Sequence, residues 1–218
     1  MRALARPDVV KKACIATALS CLASLPRLHL WENRQWPVWY LAAVLLTTGF
    51  VLWAFVFAWH SKITGREPFS PSKNPLHWLA ATALAIANAI IAGLIFDPRL
   101  RAIAPAEFPK DTCSWIADVL VSLSFGRLFL IFAPVAFFGR LLPNHIAVVV
   151  LTACFNGFIT VLRATQLELP TSLGLLTLSA RLIGTALAVI LYLRGGAPTI
   201  LWMTLLAQLR HLPVLLHN

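Results

Sequence analysis

The sequence predicts an all-α protein, a polytopic transmembrane helix bundle of about seven helices, and three observations carry that prediction. The 218 residues are 59% hydrophobic and only 12% charged, about half the charged content of soluble domains, with a mean hydropathy of +0.79. Apolar runs approaching the roughly 20 residues that cross a bilayer as a helix recur along the whole chain. No alternating pattern of barrel strands is present, and a backbone in lipid must satisfy its own hydrogen bonds, so the spans are helices. With no internal repeat and no low-complexity tract, residues 1–218 read as a single integral-membrane domain.

The first element, residues 1–26, has a basic flank and a short apolar stretch ending at Pro26. Its outline is that of a signal peptide, and "ALSC" faintly matches a lipoprotein cleavage box. A retained short helix is the expectation; cleavage or an interfacial position would leave six helices. "WPVWYLAAVLLTTGFVLWAFVFAW", residues 36–59, is the clearest span, with tryptophans at both ends as interfacial anchors. Residues 60–76 form a polar loop. The alanine-rich run 77–96 follows, and its small side chains predict a helix inside the bundle. A second polar loop covers 97–113.

Residues 114–142 are apolar but interrupted by Gly126 and Arg127, which leaves open one long tilted helix or two half-helices. Runs at 145–162 and 172–193 give two more spans, and 199–209 starts the last. Lys and Arg counted on alternate sides favour a cytoplasmic N-terminus in a plasma (inner) membrane, mainly through Arg2, Arg6, Lys11 and Lys12, then Lys62, Arg66 and Lys73.

The net charge of +10 is spread over short loops, so it reads as a topology signal and as contacts for membrane lipid. No groove-reading or base-stacking motif accompanies it, and nucleic acid is not an expected partner. Cys14, Cys21, Cys113 and Cys154 form no C-x-x-C pair, which argues against a disulfide framework.

Ionisable side chains at membrane depth are functional candidates because insertion there costs at least about 2.5 kcal/mol. Asp118, Arg127 and Arg181 qualify. Asp118 reads either as a site acid or as an interfacial acid favoured by the helix dipole. Arg127 reads either as a structural cation at a helix break or as a ligand-binding one. If Arg127 and Arg181 both face inward they make a cationic pocket; if either snorkels, they do not. Asn88 and Asn156 are expected to bind neighbouring helices. The six histidines, His29, His60, His77, His145, His211 and His217, fall at predicted ends or loops, so no metal and no other cofactor is expected.

From Trp53 onward the order of motifs resembles another known arrangement. "GREPFSPSKNPLHW" precedes an Ala-rich helix, "APVAFFGR" opens a later helix, "LTACFNGFI" lies in the next, and "GTALAVILYLRGGAPTILWMTLLAQL" forms a closing pair around a Gly turn. This order resembles the CAAX protease and bacteriocin-processing family of intramembrane glutamic proteases, over about three quarters of the chain by pattern and hydropathy. The resemblance implies a Glu-Glu pair where Phe137 and Phe138 stand, with an Arg a turn later where Arg140 comes too early. It also implies His at Ile159, four residues after Phe155, and another His near Thr204 or Leu205. Phenylalanine cannot accept a proton, so no family catalytic residue carries over.

Three readings follow. The first is a non-catalytic relative of that family, a membrane scaffold binding another membrane protein or a helical or lipidated peptide in a cavity lined by Phe137, Phe138 and Phe155. The second is a small transport or substrate-capture subunit in which Arg127 and Arg181 attract an anionic ligand; Arg140 and Asn156 are further candidates for a ligand or partner cavity. The third is a membrane enzyme using noncanonical groups such as Asp118 or His60.

Overall fold

A computed structural model of the chain describes residues 4, 6–30 and 35–212. Arg2 and His217 lie outside these. Among the described residues there are helices and no strands. Six helices are long and apolar enough to cross a membrane: α1 (Pro7–Leu30), α2 (Val38–Thr64), α3 (Pro75–Ile103), α4 (Thr112–Leu141), α5 (His145–Gln166) and α6 (Thr171–Gly195). A shorter helix, α7 (Ala197–Gln208), closes the bundle. The chain is an α-helical integral membrane protein.

Local chemistry explains the helix ends. Asn74 and Asn144 cap α3 and α5, each side-chain oxygen accepting from the backbone N–H two residues on. Asp111 and Ser114 form a capping box at the start of α4. The Ser114 backbone N–H that Asp111 accepts holds the Asp111 carboxyl below the usual carboxylate range. Gly65, at φ 71°, ends α2 in the left-handed conformation and returns its N–H to the Ser61 carbonyl.

Several boundaries differ from the sequence expectation. The polar run 97–113 is helical as far as Ile103, because a π turn at Ala92–Phe96 carries α3 past Asp97 into its polar end. The 60–76 loop loses its first residues to α2, and α1 continues through Pro26 to Leu30. Residues Thr112–Leu141 make one helix rather than two half-helices.

Alanine-rich α3 is not interior. Only Ala81 and Ala85 of its first segment are buried, because its small residues serve one face, packed chiefly on α7. The rest of α3 faces outward, with Leu79, Ile86, Ile90 and Leu94 exposed. The central position belongs to α4, whose Leu128, Ile131, Phe132, Val135 and Ala136 are all buried. Phe132 stacks on Tyr192 of α6 at 4.8 Å between ring centres.

Contacts between distant segments fix which helix ends share a side. Lys12 pairs with Glu67 at 2.8 Å, the Ala197 N–H donates to the Pro68 carbonyl at 2.9 Å, and Arg66 donates to the Arg194 carbonyl. These place the start of α1, the α2–α3 loop and the α6–α7 turn together. That turn needs Gly196: at φ 83° and ψ −179° it occupies a region open essentially to glycine, and an added Cβ would sit 3.1 Å from the Ser70 carbonyl oxygen. On the opposite side Arg27 pairs with Asp118 at 2.8 Å, Arg163 with Glu107, and Arg210 with Asp97 at 3.0 Å.

The two sides differ in charge. The first, the basic face, carries Arg6, Lys11, Lys12, Lys62, Arg66, Lys73, Arg140 and Arg194 against Asp8 and Glu67 among the described residues. The second, the mixed face, balances its cations with Asp97, Glu107, Asp111, Asp118 and Glu168.

Candidate functional site

Four polar side chains, each close to the middle of its own helix, meet around one small cavity. Asn88 comes from α3, Arg127 from α4, Asn156 from α5 and Arg181 from α6. The cavity has a volume of about 80 Å³, and Gly184, Thr185, Ala188 and Met203 complete much of its wall. Asn88 and Gly184 are exposed, so the cavity reaches the outer surface of the bundle between α3 and α6.

The backbone of α4 sets the position of Arg127. π turns at Ser122–Gly126 and Leu128–Phe132 stand on either side of it. Each takes in one more residue per turn than an α-helix, which shifts the direction of everything beyond it by roughly a quarter turn or more. The helix stays continuous, so Arg127 does not sit at a break. Asn156 locks α5 to this irregular stretch: its Nδ2 donates to the Leu130 carbonyl at 2.7 Å and to the Thr152 carbonyl at 3.0 Å. An amide binding a neighbouring helix is what the sequence led us to expect of it.

Neither Arg127 nor Arg181 has a hydrogen-bond or ion-pair partner among the described residues. The two cations act on one another electrostatically, and Arg163 adds a further positive field at Arg181. Among the described residues no carboxylate lines the cavity. Two planar guanidinium donors facing a compact polar space at membrane depth are suited to an anion, whose charge would relieve their repulsion and accept their N–H groups.

The other sequence candidates lie elsewhere. Asp118 is tied to Arg27 near the mixed face. Arg140 lies over the Trp59 ring at 4.5 Å, a cation–π contact near the basic face. Phe137 is 46% exposed and touches Phe138 at 5.5 Å, while Phe155 packs on Phe129 at 5.7 Å. These three phenylalanines do not line the arginine cavity. His60, expected at a helix end, is buried within α2 against Tyr192 at 4.8 Å. Its flanking polar residues mimic a loop, but they form the last turn of the helix. Among the described residues no cluster of three or more His, Cys, Asp or Glu side chains could hold a metal.

Sequence reasoning missed Thr185 and Met203 as wall residues. A threonine or methionine in an apolar helix gives no signal of its own, since both are ordinary packing residues there. Comparison with family models, with curated proteins and with solved structures gave no match.

Proposed function

We propose that this integral membrane protein captures a small anion, or the anionic group of a larger ligand, at the Arg127–Arg181 cavity, as a substrate-capture or transport subunit. The observation that supports this is the meeting of two arginines, without an ion-pair partner among the described residues, and two asparagines at mid-helix depth around one cavity. Such an arrangement is costly to insert unless something negative repays it. The charge difference between the two faces supports a plasma-membrane orientation with the basic face, and hence the N-terminus, in the cytoplasm.

The reading as a non-catalytic relative of the CAAX-type proteases draws its support from motif order. Where that family places its carboxylates, Phe137 faces outward and Phe138 packs beside it; a partner helix would meet an aromatic surface there. The enzyme reading gains less, since Asp118 is held by Arg27 and His60 is enclosed under Tyr192.

The test is thermal unfolding of the purified protein in zwitterionic nanodiscs with increasing chloride, acetate, sulfate or phosphate at constant ionic strength. An anion bound to the native state raises the midpoint with concentration, and Arg127→Gln or Arg181→Gln removes that rise. If no anion shifts the wild-type midpoint, or the variants respond as wild type does, the capture reading is wrong.

A further inference from the structure

A second cavity, of about 600 Å³, lies at the basic face, apart from the arginine pair. Its polar lining is Arg66, His77, His145 and Arg194; its apolar lining is Ile146, Val149, Ile190 and Leu193. The two kinds of residue are stacked by depth. Val149 lies one helical turn below His145 in α5, and Ile190 one turn below Arg194 in α6. Among the described residues no carboxylate lines the space.

The polar groups are available. Arg66 donates one N–H to the Arg194 backbone carbonyl, and the Arg194 guanidinium has no partner among the described residues. His77 shares its Nδ1 with the Ser72 hydroxyl at 2.7 Å, leaving Nε2 for another partner. His145 is exposed and begins α5, while α3 begins close by at Pro75. Both helices therefore point their positive ends toward this corner. Ile146, 73% exposed, presents the apolar lining to the surface of the bundle.

We propose that this cavity binds an anionic phosphate-bearing lipid. Its phosphate rests on Arg66, Arg194 and the two imidazoles, and one hydrocarbon chain lies along Ile146, Val149, Ile190 and Leu193. Basic pockets between helices at the cytoplasmic face suit such headgroups, and Arg favours phosphate through paired N–H donors. The apolar lower half argues for a lipid over free phosphate, because a free ion would leave those side chains uncovered while a chain buries them.

Native mass spectrometry of the full chain in detergent, titrated with phosphatidic acid and separately with phosphatidylcholine, tests this. The double variant Arg194→Gln, His145→Gln changes two exposed side chains and keeps the Arg66–Arg194 backbone bond; Arg99→Gln on the mixed face is the control. Phosphatidic acid should bind the wild type more tightly than phosphatidylcholine does, and the double variant should lose roughly tenfold in affinity while Arg99→Gln loses none. Equal binding of the two lipids, an unchanged double variant, or an equal loss in the control overturns the proposal. So does competition by inorganic phosphate at the concentration of the lipid, which marks a free-phosphate site.

Discussion

Arg127 and Arg181 show how a single residue type in the wrong solvent becomes informative. Each was legible in the sequence because a cation interrupts an apolar run, and the cost of placing it there asks for a reason. That they share a cavity was not legible: the hydropathy of α4 and α6 is silent about rotation, and the two π turns set the rotation of α4. Asp118 was legible as a candidate, but its partner Arg27 sits far away in the chain beyond the reach of any spacing rule. Because Arg127 has no partner among the described residues to strand, replacing it should not behave like breaking an ion pair. We expect Arg127→Met to raise the unfolding midpoint in anion-free buffer by removing a desolvated charge, and to abolish the anion-dependent rise. A lowered midpoint without anion would mean that Arg127 supports the fold in its own right.

At the scale of elements, the sequence read helix existence well and helix position poorly. All six long spans matched apolar runs, since hydropathy reports what a bilayer requires. The misplacement of α3 has a physical cause: alanine permits close packing on one face but does not demand it on the others, and lipid accepts the remainder. The extension of α3 to Ile103 brings Asp97 to the end of α7, where it meets Arg210 at 3.0 Å and His211 at 3.9 Å. Burial pushes the His211 imidazole down to about 4 from its ordinary 6.5; Arg210 and Arg101 push the same way and Asp97 opposes them. The folded protein thus favours neutral His211. This stabilisation is complete above about pH 6.5 and is lost progressively as pH falls toward 4. Hydrogen exchange should show residues 209–212 losing protection over that window, and His211→Phe, which keeps a ring against Phe108, should hold protection to lower pH. An identical profile in the variant would assign the transition to another group.

The whole molecule has a polarity that no single helix reveals. Acids gather on the mixed face, while the basic face is left with Asp8 and Glu67 among the described residues. Loop charges hinted at this; pairing the helix ends in space makes the separation plain. Cys113 is exposed in the first turn of α4 on the mixed face; under the orientation proposed above, a membrane-impermeant maleimide applied to intact cells should label it and should not label Lys73→Cys in a Cys113→Ser background. The reverse pattern would invert the orientation. The short length of α7 also bears on how the protein is made. Its 12 residues, about 18 Å of helix, are too few to enter a bilayer as an independent span. Synthesis runs from the amino terminus, so Arg127 and Arg181 are made before the segment bearing Met203. A chain stopped at Gly195 would carry both cations without the Met203 wall, so the arginine cavity is complete only once the last helix has docked.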